Sequence, residues 1–367
     1  MSNKDKIRNQ MFDLLKFLSA ILLILHHFQM EMGGTKLKYV NFFDGAFYVG
    51  FLVELYFIIS GFLMYQYIIK IQNGLTFSKF FIRRFMRYTP LVIFSVILFN
   101  IFAVVGNQIV GYPGSIESNL FTSILTSLSI QAGWCFDFDL CGYTNYALWY
   151  ISALQLCYII FYFLVYISDR FKLNCKYLFC LMIVLGICFR NYSLSVPLVN
   201  YKLCRGYYSF FFGLLFADIV KQYSFCNKKL RYLSITIILI GIFVWMKKRD
   251  ILGYIGFNGY FVYYLTFLFY PAIIYFLSSL HYVRQYVDNS KFIKLLGDVS
   301  FSIYIFHVPL IYLYVLIYYG IFGQRPEISA LQMILFSMFV ICISNLIHYI
   351  LEKPINFLIN KKILTSY

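Results

Sequence analysis

Ionisable side chains inside apolar segments are the residues of this sequence that could do chemistry. A charged group at the centre of a bilayer costs at least about 2.5–3.5 kcal/mol on insertion scales, so such residues mark candidate functional sites. Lys16 and His27 lie eleven residues apart in one apolar run. At about 100° per residue they point to one face of a helix, about 16 Å apart along its axis. An imidazole held there could act as a general base or as a nucleophile.

Two further residues could assist this imidazole. Glu54 is predicted at a depth similar to that of His27, where a carboxylate could orient the ring and raise its basicity. His307 follows Ser300, Ser302 and Tyr304 in a segment polar enough to line a cavity. Purely structural roles stay open for all of them. Lys16 could snorkel to the interface, Glu54 could pair with some other cation, and either histidine could be a packing residue.

The composition places these residues in a membrane. Hydrophobic residues make up 61% of the 367 residues and charged residues 13%, against about 45–50% and about 25% in typical soluble proteins. The mean hydropathy is +0.74, and long apolar runs recur from Phe12 to Leu351. The sequence therefore predicts an all-α, polytopic membrane protein that forms a single domain over 1–367.

Ten apolar segments approach the roughly 20 residues that a spanning helix needs. They are 12–30, 47–69, 89–106, 147–168, 176–190, 206–221, 232–247, 258–279, 300–320 and 329–351. Ten spans with a cytoplasmic N-terminus place 21 Lys and Arg residues inside and 9 outside, whereas an eleventh span at 120–133 would give 15 and 15. The positive-inside rule favours ten spans around a central cavity, both termini cytoplasmic, and 120–133 within an outer-face loop of about 107–146.

The basic residues indicate which partners the protein could bind. The segment 77–88 (FSKFFIRRFMRY) reads as an amphipathic helix on the cytoplasmic surface, and its Arg83, Arg84 and Arg87 could bind phosphate or only fix the topology. The formal charge of +16 fits topological signals and lipid headgroup contacts. No phosphate loop or RNA-binding motif occurs, so no nucleic-acid partner is expected.

The cysteines carry no metal signal. No Cys or His spacing matches a zinc site, so no metal is expected. Cys135 and Cys141 flank an irregular loop and could form a disulfide if that loop faces an oxidising compartment.

With these residues in hand, the chain resembles the acyltransferase family 3 membrane proteins over nearly its whole length. Seven segments carry the resemblance in the family's order: Phe12–Phe28 (FDLLKFLSAILLILHHF), Val53–Leu63 (VELYFIISGFL), Arg83–Pro90 (RRFMRYTP), Trp149–Tyr158 (WYISALQLCY), Ser209–Ala217 (SFFFGLLFA), Leu296–Pro309 (LGDVSFSIYIFHVP) and Leu351–Pro354 (LEKP). Two positions depart from the pattern. Lys16 replaces the family's Arg in Arg-x10-His, which keeps the charge but loses the bidentate fork, and Leu154 stands where the Trp block commonly has Glu.

The resemblance implies transfer of an acyl group, acetyl in particular, from cytoplasmic acyl-CoA to a hydroxyl of a cell-surface or lipid-linked carbohydrate. It also implies the inner membrane of a bacterium and no permanently bound cofactor, acyl-CoA being a substrate. The chain has no room for the extra periplasmic domain of some members, so we expect it to act alone, as a homo-oligomer or with a separate glycan-biosynthesis protein.

In this hypothesis His27 is the general base or the acyl carrier, and Glu54 orients it. Lys16 and the three arginines bind the phosphates of CoA, and His307, Trp149 and Tyr304 complete the substrate-binding residues. A proton-coupled exporter of a polysaccharide or sugar intermediate is the alternative. The sequence lacks the pair of corresponding Gly- or Pro-broken helices that would favour it.

Overall fold

The computed structural model describes residues 10–32, 41–43, 48–110, 117–131, 143–192, 196–223, 227–254 and 259–365. Helices account for 85% of the structure, and none of the described residues belongs to a strand. The all-α class predicted from the composition is therefore confirmed. Cys135 and Cys141 lie outside the described residues, so their pairing stays a prediction.

The described part of the chain contains fifteen α-helices, some of them joined end to end by a turn of π-helix. In chain order they are α1 (Gln10–Glu31), α2 (Leu52–Met64), α3 (Tyr67–Gln72), α4 (Phe77–Val104), α5 (Leu120–Ser127), α6 (Trp149–Arg170), α7 (Cys175–Asn191), α8 (Tyr201–Tyr223), α9 (Lys228–Tyr254), α10 (Phe261–Tyr264), α11 (Tyr270–Ser279), α12 (His281–Asn289), α13 (Lys291–Phe322), α14 (Ala330–Ile347) and α15 (Lys353–Thr365). The π-helical turns are Val105–Val110, Leu265–Phe269 and His348–Glu352.

Eight helical segments are long and apolar enough to cross a membrane. They are Gln10–Glu31, Phe77–Gln108, Tyr146–Arg170, Tyr201–Gln222, Lys228–Lys247, Phe261–Ser279, Lys291–Phe322 and Ala330–Ile359. The remaining two predicted spans correspond to helices α2, with 13 residues, and α7, with 17. The protein is thus a multi-pass membrane protein, while the count of ten spans and the side of the termini stay predictions.

One local prediction meets a different geometry. The amphipathic segment 77–88 is helical, but it forms the first turns of the 28-residue helix α4 instead of a separate helix. Pro90 lies inside α4 and removes one backbone donor, yet its fixed φ is compatible with a helix, so the helix continues. Within 120–133, α5 has eight residues, which rise about 12 Å and fall short of the membrane core.

Close packing of two helix pairs positions the interior polar residues. Met11 packs with Ile293 near the start of α1 and α13, and His27 meets His307 farther along both, so these two helices run in the same direction. Helices α2 and α8 approach backbone to backbone, because a side chain at Gly61 would lie 2.0 Å from the Phe210 carbonyl oxygen. Small residues permit such contacts between membrane helices.

Helix α1 runs antiparallel to α2 and links the two pairs. The Phe12 and Phe62 rings lie 5.0 Å apart, and the Tyr56 hydroxyl donates to the Lys16 carbonyl oxygen over 2.7 Å. The bundle therefore has two ends that are useful for orientation. We call the end that contains His27 and His307 the histidine end, and the end that contains Arg83, Arg84 and Arg87 the arginine end.

Candidate active site

Two histidines from opposite parts of the sequence meet in the interior. Nδ1 of His27 lies 2.9 Å from Nε2 of His307, 280 residues later in the chain. The two rings stack with centroids 4.9 Å apart and planes inclined by 27°. His307 is buried with 1% exposure, whereas His27 is half-buried. The sequence predicted both residues at the site but did not predict their contact.

The hydrogen-bond geometry assigns a proton to each ring. Nδ1 of His307 lies 2.6 Å from the Tyr304 carbonyl oxygen, which can only accept, so this nitrogen carries the hydrogen. In the neutral ring Nε2 of His307 is then an acceptor, and Nδ1 of His27 must donate to it. The Leu23 carbonyl one turn earlier on α1 also interacts with the His27 ring. Nε2 of His27 is left with its lone pair available, as a general base requires.

The free side of His27 faces an aromatic and acidic group. The Tyr146 ring lies edge-on at 5.3 Å from the His27 ring. Glu31, one turn after His27 on α1, accepts a hydrogen bond from the Tyr312 hydroxyl over 3.2 Å and lies beside the Tyr146 hydroxyl. Sequence reasoning missed Glu31, although its spacing of four residues from His27 places it on the same face.

His26 serves the loop after α1. Its Nδ1 lies 2.8 Å from the Phe42 carbonyl oxygen, and the Phe42 amide donates to Gln29 Oε1 over 2.7 Å. The two adjacent histidines therefore face different partners, as expected from the 100° turn between neighbouring residues of a helix.

Glu54 has a partner that the sequence did not predict. Its carboxylate accepts from Arg205 Nε over 2.6 Å and from Arg205 Nη2 over 2.8 Å, and the Tyr208 hydroxyl adds a third bond of 3.1 Å. No hydrogen bond joins it to His27 among the described residues, so the expected orienting contact is corrected. The reason is that Glu54 faces α8, whereas His27 faces α13. The ion pair left open as the alternative describes this geometry.

Arg205 itself was overlooked because it was counted only as a charge in an outer connector. Helix α8 begins at Tyr201, several residues before the predicted span at 206, so Arg205 lies within the helix. An arginine followed by the apolar run 206–217 was the available signal, since a charge inside a span calls for a partner.

Tyrosines fill the interior between Lys16 and the histidines. The rings of Tyr56, Tyr150 and Tyr304 lie 5.4–5.8 Å from one another. Tyr304 donates its hydroxyl to the Ala147 carbonyl oxygen over 2.6 Å, and the Tyr150 hydroxyl lies 3.1 Å from Ser60 Oγ. Lys16 is half-buried and contacts this group through its backbone carbonyl. Tyr304 therefore lies between Lys16 and the histidines, and its role in substrate binding stays a prediction.

The three arginines of α4 are not equivalent. Arg83 and Arg87 are exposed, one helical turn apart. Arg84 is buried with 9% exposure, donates to the Phe80 carbonyl oxygen over 2.7 Å and lies over the Phe80 and Tyr67 rings at 3.8 and 4.1 Å. Only Arg83 and Arg87 therefore present their side chains at the surface, whereas Arg84 does not share the exposed cluster that the sequence predicted.

Trp149 lies at the histidine end, at the start of α6. Its ring is 5.1 Å from the Arg205 guanidinium carbon and 5.7 Å from Lys202 Nζ. Because Tyr146 is three residues away and contacts His27, Trp149 borders the same site. Its assignment to substrate binding stays a prediction.

Comparison with known proteins then decides the class of enzyme. The family model described as Acyltransferase domain, acyltransferase 3, matches residues 9–350. The chain belongs to the acyltransferase 3 family. No curated protein and no solved structure matches the chain. The resemblance read from the seven sequence segments is therefore confirmed, and with it the class of acyl transfer.

This acyltransferase holds a second polar cluster nearer the arginine end. Ser302 Oγ donates to Glu352 Oε2 over 2.6 Å, and His348 Nδ1 lies 2.8 Å from the same oxygen. All three side chains are buried, and Glu352 closes the π-helical turn after α14. The described residues include no group of three His, Cys, Asp or Glu side chains suited to hold a metal ion.

His307 offers the first test of the histidine pair. His307→Phe removes the acceptor for the His27 Nδ1 hydrogen, so both tautomers of His27 become accessible and the base is no longer fixed. We expect kcat for acyl transfer to fall about 10- to 100-fold, by analogy with the loss of other outer partners that orient imidazoles, with little change in the KM of the donor. The measurement is kcat and KM against pH. A packing role alone would lower the amount of folded protein and leave the pH profile of kcat unchanged.

Proposed function

We propose that the protein is a transmembrane O-acyltransferase. It moves an acyl group, acetyl in particular, from cytoplasmic acyl-CoA to a hydroxyl of a cell-surface or lipid-linked carbohydrate. The observation that carries this proposal is the His27–His307 pair, which leaves Nε2 of His27 as a free base inside the bundle.

The chemistry follows from that nitrogen. Nε2 of His27 takes the proton of the acceptor hydroxyl as its oxygen attacks the thioester carbonyl. The C–S bond breaks, the ester forms, and the proton on His27 passes to the departing CoA thiolate. His307 accepts the His27 Nδ1 hydrogen bond throughout and so keeps the ring in one orientation. In the two-step version Nε2 first attacks the thioester and takes the acyl group, with release of the CoA thiolate. The acceptor hydroxyl then attacks the acyl carbon, the bond to Nε2 breaks, and the hydroxyl proton passes to the thiolate.

A row of polar side chains supports entry of the donor from the arginine end. The phosphates of CoA would meet Arg83 and Arg87. Arg84 lies 5.4 Å from the Tyr158 ring, and Ser60 lies between the hydroxyls of Tyr158 and Tyr150.

The length of this row fits the donor. Tyr158 and Tyr150 are eight residues apart on α6, about 12 Å along its axis, and His307 lies about 4.5 Å beyond Tyr304 on α13. The phosphopantetheine arm contains two amide groups and has the backbone length of about four to five residues, so it extends to about 13–18 Å. Ser60, Lys16 and His27 are each partly exposed, so the arm could contact all three.

This arrangement would bring together a donor and an acceptor that lie on opposite sides of the membrane. CoA remains in the cytoplasm, whereas surface glycans are made or displayed on the other side of the inner membrane. With the arginine end facing the cytoplasm and His27 near the opposite end, the acyl group can cross without its carrier.

The test is transfer by purified protein in detergent or nanodiscs. Given radiolabelled acetyl-CoA and extracted cell-surface glycans, it should label the glycan and release one CoA for each acetyl group transferred. Movement of a labelled glycan across proteoliposomes without release of CoA would contradict the proposal and favour an exporter. Protein denatured by heat before the assay is the control.

A further inference from the structure

Three cations gather around two aromatic rings at the histidine end. Lys202 and Arg205 lie over the Trp149 ring at 5.7 and 5.1 Å. Arg190 and Arg205 lie over the Tyr201 ring at 5.2 and 5.8 Å. We call these five residues the cationic aromatic cluster. They come from the start of α6, the last turn of α7 and the first turns of α8, which therefore converge here.

The carboxylate of Glu54 is engaged by one cation of this cluster, Arg205. Glu54 is already held by Nε and Nη2 of Arg205, and Nη2 also donates to the Gly50 carbonyl oxygen over 2.8 Å. Within the described chain, Nη1 of Arg205 has no acceptor. The Arg190 guanidinium donates to the hydroxyls of Tyr201 and Tyr263 and lies near Tyr208, while its Nε is buried without a hydrogen-bond partner among the described residues.

Two guanidinium donors of this cluster, Nε of Arg190 and Nη1 of Arg205, are available to an anion. Like charges repel most strongly where little water screens them, and a buried donor without an acceptor costs free energy. An anion between Arg190 and Arg205 would relieve both effects, because guanidinium groups bind carboxylate or phosphate through paired hydrogen bonds. The flat faces of Trp149 and Tyr201 offer apolar contact to the rest of the same ligand.

The cluster lies next to the reactive nitrogen. Trp149 is one turn from Tyr146, whose ring is 5.3 Å from the His27 ring, and Arg205 is close enough to His26 to affect its ring. A ligand held by Arg190 and Arg205 would therefore extend past Trp149 toward Nε2 of His27. The donor row approaches His27 from the arginine end, so the two substrates need not overlap.

We propose that the acceptor is an anionic carbohydrate, a sugar that carries a carboxylate or a phosphate. The anion binds between Arg190 and Nη1 of Arg205, the sugar ring packs on Trp149, and a hydroxyl is presented to His27. This inference rests on the proposed acyl transfer and adds the charge of the acceptor to it.

The experiment compares matched acceptors that differ in charge alone. Purified protein receives radiolabelled acetyl-CoA with methyl glucoside, methyl glucuronide or methyl glucoside 6-phosphate. We expect kcat/KM to be at least tenfold higher for one anionic sugar than for the neutral one, as a charged hydrogen bond provides. The carboxylate and phosphate arms show which anion is preferred. Equal kcat/KM for the neutral and both anionic sugars would overturn the proposal.

Variants assign the preference to the cluster. Arg190→Gln and Lys202→Gln should each raise the KM of the preferred anionic sugar about tenfold and so reduce its advantage over methyl glucoside. Lys247→Gln is the matched control, because Lys247 is an exposed cation in the later part of α9 and outside the cluster. An anionic preference that survives in both cluster variants would contradict the assignment.

Two further measurements use the unaltered protein, so their outcome does not depend on whether the variants fold. At saturating acetyl-CoA, inorganic phosphate should inhibit transfer to the anionic sugar more strongly than transfer to the neutral sugar. Equilibrium binding of labelled methyl glucuronide and methyl glucoside 6-phosphate, with methyl glucoside as the neutral reference and no acetyl-CoA present, separates the two proposals. Selective anion binding without any transfer would support the anion site and contradict the proposed acyl transfer. Transfer without selective binding would contradict the anion site alone.

Discussion

His27→Ala should abolish acyl transfer while the protein stays folded. Nε2 of this residue is the free base that the His27–His307 contact leaves available, and general-base catalysis contributes typically about 10²–10⁴-fold. We expect kcat to fall by that factor, to the background of the assay at its upper end. Label transfer from acetyl-CoA measures activity, and the thermal unfolding midpoint of the purified protein measures folding.

Two neighbouring variants distinguish chemistry from packing. His27→Asn keeps an N–H group near the position of Nδ1, so it can still donate to His307, but it has no base at the position of Nε2. It should be as inactive as His27→Ala and closer to the wild type in stability. His26→Asn should retain a donor for the Phe42 carbonyl oxygen and keep activity within a few-fold. Transfer at the wild-type rate in His27→Asn would remove this mechanism.

Glu54→Gln should destabilise the protein strongly. The substitution leaves the Arg205 guanidinium inside the bundle without its carboxylate, and breaking a buried ion pair on one side costs about 3–5 kcal/mol. Glu54 has 0% exposure and Arg205 8%, so water offers little compensation. We expect a clear fall in the thermal unfolding midpoint and in the yield of folded protein, with activity lost in proportion to the folded fraction.

The double variant and a surface pair give the controls. Glu54→Leu combined with Arg205→Met replaces both charges by apolar groups and should recover most of the lost stability. Asp218→Asn should cost less than about 1 kcal/mol, because its partner Lys176, at 2.6 Å, has a side chain that is 41% exposed. If Glu54→Gln kept full stability and lost all activity, Glu54 would instead act directly in the chemistry.

The first helix shows which features of the site can be predicted from the sequence. The spacing of Lys16 and His27 depends only on the period of a helix, and the resulting face does point into the bundle. The partner of His27 depends on which helix lies opposite that face, and the period of α1 carries no information about this. His307 was therefore selected as a candidate by its polar surroundings, while its contact with His27 could be seen only in the structure.

The ion pair of Glu54 and Arg205 shows what the sequence could not predict. An acid inside a span requires a cation, but several cations in the outer connectors were equally available by sequence. The close approach of α2 and α8 brings Arg205 to Glu54. At Gly61 and Gly213 a Cβ atom would lie within 2.2 Å of the opposite backbone. A small residue in a membrane helix indicates close packing, yet it does not name the helix that packs there.

The separation of Glu54 and Arg205 along the chain has a consequence for biogenesis. The two residues are 151 positions apart, so at about 5–20 residues per second the ribosome makes Arg205 roughly 8–30 s after Glu54. During that interval α2, a helix of only 13 residues, carries an acid whose counter-ion has not yet been synthesised. Its stable insertion must therefore wait for α8, and a nascent chain that stops before Arg205 would present an unfinished segment to membrane quality control.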